Sequence, residues 1–171
     1  TLFPYTTLFR SIPSVVFGFF GLVVLADWVR ELFDRPMGES WLAASILLAI
    51  MCLPTIISVS EDALRSVPNE FREASLGMGA NKWQTISKIV VPSASSGITT
   101  SIILGMGRAI GETMAVIMIA GNTAVIPDPI TNIFYPVRTI TGTVAIEMPE
   151  IVIGGPHYSI LFGLVIMLFV I

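Results

Sequence analysis

Residues 41–59 carry no Asp, Glu, Lys or Arg. A helix of about 20 apolar residues crosses the hydrocarbon core of a bilayer, so this stretch alone is long enough to span. Composition extends the constraint to the whole chain. Hydrophobic residues make up 54% and charged residues 12% of the 171, and the mean hydropathy is +0.85. A soluble domain carries about 25% charged residues. One domain folding in lipid is therefore expected. The net charge of −3 offers no footprint for nucleic acid. A single cysteine, Cys52, excludes an internal disulfide, and the lone His157 has no Cys/His cluster with which to hold a metal. His157 reads as a polar residue at a membrane boundary.

Three further apolar stretches accompany the first. Residues 12–26 form a short one, with Pro13 near a helix start and Trp28 just beyond as an interfacial anchor. Residues 98–120 are long enough to span but contain Arg108 and Glu112. Residues 158–171 end inside an apolar run and read as a span cut short. Pro54 within the second stretch predicts a kink. Residues 1–11 resemble translated sequencing-adapter sequence and lack the charged start and cleavage site of a signal peptide. They are expected to be an artefactual leader. The expected fold is all-α and integral to the membrane, a fragment with about four spans occupying 12–171.

Orientation follows from Lys and Arg alone. Residues 60–92 carry four of the nine: Arg65, Arg72, Lys82 and Lys88. The 27–40 connection carries Arg30 and Arg35, and the 122–157 connection carries Arg138. The positive-inside rule places 60–92 in the cytoplasm and the other two connections outside. Within 60–92, Ser60 is expected to cap a helix that ends at Pro68, with Glu61 and Asp62 in its first turn. A second helix, about 70–76, closes at Gly77 and Gly79. Asn81 caps a third that runs towards Pro92. Short helices with tight breaks make a compact knob.

That knob carries a recognisable string. Glu73-Ala74-Ser75, three residues, Gly79, nine residues, then Ile89-x-Val91-Pro92 resembles the EAA motif of ABC importer permeases, E-A-A-x3-G-x9-I-x-L-P. Ser75 replaces the second alanine and Val91 the leucine. The small side chains of Ala74 and Ser75 allow close approach to another surface, and Gly79 permits a backbone conformation that a side chain disfavours. The alternative is an ordinary solvated loop with incidental Ala and Gly. The resemblance implies a MetI-like transmembrane fold in which the short helix couples to an ATP-binding subunit through Glu73, Ala74, Ser75, Gly79, Ile89 and Pro92. No G-x4-G-K-[S/T] loop occurs, so ATP and Mg are expected on that partner and no cofactor on this chain.

Other strings narrow the resemblance. Residues 12–18 (IPSVVFG), 53–56 (LPTI), 60–68 (SEDALRSVP), 108–113 (RAIGET) and 143–148 (TVAIEM) resemble phosphate permease subunits, more closely the PstC type than PstA. The resemblance implies a subunit in the plasma membrane of a prokaryote. Its implied partners are an ATP-binding subunit, a second homologous permease subunit, an extracytoplasmic phosphate-binding protein and membrane lipid, with no nucleic acid.

Arg108 and Glu112 are four apart, hence expected on one helix face about 6 Å apart. Ionisable residues within spans face a bundle interior or a wet pathway. Arg suits phosphate oxygens because its planar fork donates bidentately. Both are candidates for the substrate pathway, and the resemblance implies the same. The competing reading is an ion pair that only sets helix register. Gly107 with Gly111, and Gly18 with Gly21, are small-residue positions expected to admit close helix packing. Met106, Met114 and Met118 read as core filling.

Two other classes fit less well. A secondary transporter using Arg108 and Glu112 as a proton relay has no need of the 73–92 knob. A membrane enzyme requires a nucleophile–base set or metal ligands within the spans, and neither is visible. Sulfate, molybdate and amino-acid permeases share the knob, so cargo rests on the narrower strings alone.

Overall fold

The structure, a computed structural model, describes residues 12–129 and 131–170; the expected leader at 1–11 lies outside them. Helix α1 (Ser14–Phe20) passes through a π-helical turn (Gly21–Ala26) into α2 (Asp27–Leu32). The long α3 (Trp41–Arg65) is followed by α4 (Asn69–Gly77) and α5 (Lys82–Thr85). A π segment (Ile86–Val90) and α6 (Val91–Ser93) lead to α7 (Ser95–Gly111) and α8 (Met114–Ile119). The chain continues through α9 (Ile140–Glu147), a 3-10 turn (Met148–Glu150) and α10 (Pro156–Val170). The described residues form no strand, only an isolated bridge between Gly121 and Val137. The fold is all-α.

Three boundaries differ from the sequence reading. The first helical run continues from Ser14 to Leu32, so Trp28 lies inside it. Residues 27–32 contain no Gly or Pro, and Arg30 pairs with Asp27 at 3.2 Å, as i,i+3 neighbours on a helix do. Secondly, α3 runs through Ser60, which is therefore no cap. No breaker lies between Val59 and Arg65, Glu61 and Arg65 pair at 2.9 Å one turn apart, and the Ser60 hydroxyl meets Ser101 at 2.7 Å. Thirdly, the helix expected over 98–120 stops at Gly111 and restarts at Met114. Thr113 Oγ1 donates to the Gly111 carbonyl at 3.3 Å, a local bond that competes with the helical ladder.

Among the described residues, α3 is the one unbroken helix long and apolar enough to cross a membrane. Only 28% of its most apolar window is buried. The core helix of a soluble protein hides most of its apolar surface, so α3 presents apolar side chains outward to lipid or to further spans. The 82–93 segment and α7 form a second candidate, bent by 65° where Ala94 separates them.

The chain divides into two compact units, 51–110 and 12–50 with 111–170. In the second unit, every orphan N–H at the start of α3 finds an acceptor. Trp41 donates to the Tyr135 carbonyl at 3.0 Å and Leu42 to Ile133 at 2.9 Å. Ala43 reaches Ser40 Oγ at 3.3 Å, and Ala44 the Ser40 carbonyl at 3.0 Å. Gly18 and Gly21 do admit close packing. A Cβ at Gly18 would lie 2.8 Å from the Ala115 Cα, and one at Gly21 3.0 Å from Ile119 Cδ1.

In the 51–110 unit, α7 lies against α3 along a seam of small residues. A Cβ at Gly97 would fall 2.4 Å from the Ala63 Cβ, and one at Gly105 2.5 Å from Ile56 Cγ1. Ser101, between them, is fully buried and bonded to Ser60. Cys52 Sγ donates to the Gly105 carbonyl at 3.2 Å. The seam is thus Gly97-x3-Ser101-x3-Gly105. A Cβ at Gly107 or Gly111 meets nothing within 4 Å among the described residues, so that pair takes no part in this seam. A second cluster, Val67, Val90 and Ala94 with Ala63, Leu64 and Ile98 against it, ties the knob to these two helices.

Candidate functional site

The knob assembles from its caps. Pro68 occupies the N-cap position of α4, with Glu70 in the first turn. At the other end Gly79 takes φ +87°. Its N–H bonds the Leu76 carbonyl at 3.0 Å, and the Ala80 N–H bonds the Ser75 carbonyl at 3.2 Å. These are the paired bonds of a Schellman motif, whose left-handed residue is usually glycine. A Cβ at Gly79 would touch nothing, so the demand for glycine is conformational rather than steric. Asn81 then opens α5 with a full capping box: Gln84 N–H to Asn81 Oδ1 at 2.8 Å, and Asn81 N–H to Gln84 Oε1 at 2.9 Å.

This folding brings Ser75, Gly79 and Ile89 to the rim of one recess of about 380 Å³, with Met78, Gln84 and Lys88. Ser75 Oγ lies 3.0 Å from Thr85 Oγ1, fastening α4 to α5. Glu73 and Ala74 are exposed on α4, and Pro92 is exposed on α6; none of the three lines the recess. On the same segment Met78, which lines the recess, is 89% accessible and Trp83 75%, and Phe71 and Leu76 are also exposed.

Arg108 lies on α7, half-buried, and donates Nη1–H to Thr55 Oγ1 of α3 at 3.3 Å. Thr55 is itself buried. Glu112 lies past the end of α7 and is half-buried; its backbone carbonyl accepts from Thr141 Oγ1 at 3.2 Å. The helix that was to stack Glu112 one turn above Arg108 ends between them. Thr55 was not singled out by sequence reasoning, because its role exists only once α3 and α7 are paired.

A second polar cluster also escaped notice. Glu147 accepts from Arg138 Nη1 through Oε1 and meets His157 Nε2 at 3.0 Å through Oε2. Arg138 Nε donates to Asn122 Oδ1 at 3.0 Å. His157 therefore has a carboxylate partner, beyond the boundary position expected for it.

Comparison with known proteins agrees with these features. Residues 1–171 match the family described as binding-protein-dependent transport system inner membrane component. The chain is 40% identical over 167 residues to "Probable ABC transporter permease protein YqgH" of Bacillus subtilis, covering 98% of this chain and 53% of the relative. It is 34% identical over 183 residues to the phosphate transport system permease protein PstC of Mesorhizobium japonicum, covering 96% and 55%. The PstC of Haemophilus influenzae is likewise 34% identical over 183 residues, covering 96% and 56%. The chain spans about half the length of these relatives. No solved structure gives a significant match. The relatives are transport permease subunits rather than enzymes, and this chain belongs to their family, the membrane-embedded MetI-like permeases of ABC transporters.

Proposed function

We propose that the protein is a phosphate permease subunit of an ATP-driven importer, oriented with 60–92 in the cytoplasm of a prokaryotic cell. The 34% identity to PstC relatives across 96% of the chain carries the cargo, supported by the RAIGET and LPTI strings in which Arg108 and Thr55 occur. Arg108 lines the substrate path and meets the anion through guanidinium donors not used by Thr55. Glu112 is the second candidate for the substrate pathway, with a carboxylate able to accept a proton from the substrate. A conducting route must also release its cargo, so weak contacts suit it.

The knob docks on a separate ATP-binding subunit through the Ser75–Gly79–Ile89 recess and the exposed Met78 and Trp83. Glu73 and Ala74 lie on the docking helix, and Pro92 starts the turn back towards the membrane. ATP and Mg are held by that subunit. A second homologous permease subunit completes the pore, and an extracytoplasmic binding protein delivers the phosphate.

A second reading has its own observation. The 40%-identical YqgH relative bears a name without a cargo, which keeps a permease for sulfate, molybdate or an amino acid in play. ATP hydrolysis by the reconstituted full-length complex separates the two. Stimulation by the phosphate-loaded binding protein alone supports phosphate. Stimulation by a differently loaded protein removes phosphate and keeps the transporter, and the absence of any coupling removes both.

A further inference from the structure

In the 51–110 unit, a groove of about 490 Å³ opens where the last turns of α3 meet the knob. Its walls are apolar: Ile56, Ile57 and Leu64 from α3, with Ile86 and Val90 from the π segment. Its volume falls within the range of about 300–1,000 Å³ typical of ligand sites. Three charged residues share the lining: Arg65, Arg72 and Glu61. Glu61 is buried and engaged by Arg65, whose Nε and Nη2 both approach Oε1, at 3.0 and 2.9 Å. Arg72 donates Nη2–H to the Leu64 carbonyl at 2.8 Å, while its Nε is buried with no hydrogen-bond partner. Two guanidiniums and one carboxylate therefore line the groove, and the formal charge of that lining is positive.

We propose that this groove binds one acidic glycerophospholipid of the cytoplasmic leaflet. An acyl chain lies along Ile56, Ile57 and Ile86, and the phosphodiester meets the guanidinium ends of Arg65 and Arg72 that line the groove. Position and chemistry agree. The groove lies at the end of the apolar run 41–59, where a helix leaving the hydrocarbon core reaches the headgroups. Basic pockets between helices on the cytoplasmic side select anionic headgroups, and an underused guanidinium supplies strong charge-assisted bonds to phosphate oxygens. A zwitterionic lipid fills the apolar walls equally well but gains less from the net positive charge. Because the floor of the groove is shared by α3 and the knob, a lipid seated there braces the coupling surface against the span.

The proposal rests on the cytoplasmic orientation proposed above for 60–92, which is checked separately by maleimide labelling of Asn69→Cys in inside-out vesicles. The test itself uses the full-length permease purified with its companion subunits and stripped of lipid by detergent exchange. It is titrated with phosphatidylglycerol, phosphatidylcholine or inorganic phosphate, and bound lipid is counted by native mass spectrometry. Phosphatidylglycerol is expected to bind about tenfold more tightly than phosphatidylcholine, the discrimination that one charge-assisted contact supplies. That preference is expected to vanish in Arg72→Gln, and binding itself to fall in Ile57→Trp, which fills the apolar wall without touching a charge. Inorganic phosphate is expected not to compete. Equal binding of the two lipids, or a preference that survives both substitutions, overturns the proposal. Displacement by inorganic phosphate alone reassigns the groove to a free anion, and a disulfide between Ile57→Cys and a cysteine placed in another span of the same protein reassigns it to protein packing.

Discussion

Arg108 Nη1 donates to Thr55 Oγ1 at 3.3 Å, joining α7 to α3 next to the packing contact of Gly105 on Ile56 and Cys52. A guanidinium held by a buried hydroxyl is aimed without being neutralised, as the anion contact proposed for Arg108 requires. An Arg closed onto a carboxylate offers an arriving phosphate much less.

Arg108→Ala is expected to abolish phosphate uptake by the full-length transporter while leaving its assembly intact on size exclusion. Thr55→Val keeps the shape and removes the hydroxyl. Its expected effect is about a tenfold fall in uptake, matching the roughly 1.5 kcal/mol of a hydrogen bond to a charged group, with Thr55→Ser restoring most of it. Wild-type uptake in Arg108→Ala reduces the arginine to a packing role.

Gly79→Asp is expected to weaken co-purification of the ATP-binding subunit and to uncouple hydrolysis from transport. The substitution forces a β-carbon into φ +87°, at a cost of about 1 kcal/mol or more, and places a charge on the docking recess. Normal co-purification with full coupling counts against the recess as the docking surface.

Gly97→Val is expected to lower the thermal stability of the detergent-solubilised protein by about 1–3 kcal/mol, the usual cost of overpacking, because its Cβ would lie 2.4 Å from the Ala63 Cβ. Gly107→Ala serves as the control. Open space at that position among the described residues predicts no loss of melting temperature, with a small gain from the higher helix propensity of Ala, and equal losses in the two variants would disprove the assigned seam.

Asn81→Ala removes the side-chain arm of the capping box, the acceptor of the Gln84 N–H, and leaves the backbone N–H at 81 to Gln84 Oε1; a lost N-cap costs about 1 kcal/mol. Faster amide exchange is expected over residues 82–86 and not in α7. Exchange unchanged at the start of α5 shows that Ser75–Thr85 and the Val67–Val90–Ala94 cluster hold the knob without the cap.

Much of the local architecture was legible in the residues. Pro68, Gly79 and Asn81 punctuate the knob where their backbone chemistry requires, since a ring-fixed φ, a left-handed φ and a side-chain cap each act over a few bonds. The apolar run 41–59 identified α3 for an equally local reason, the absence of charge over a bilayer's thickness. Boundaries decided by weaker preferences were less legible. Ser60 has the chemistry of a cap, yet in the folded chain it faces Ser101 and the helix runs on.

What the sequence determined by itself is therefore the solvent, the all-helical class, the family string and the breaks at Pro68, Gly79 and Asn81, all set by composition or by residues close together along the chain. The tertiary structure alone decided that Gly97, Ser101 and Gly105 form the seam rather than Gly107 and Gly111. It also decided that Arg108 is held by Thr55, and that Arg72 is left underused beside an apolar groove. Each depends on which face of α7 or α4 meets α3. Glycines at the same i,i+4 spacing lie on more than one face of a helix, and only the packed neighbour distinguishes them.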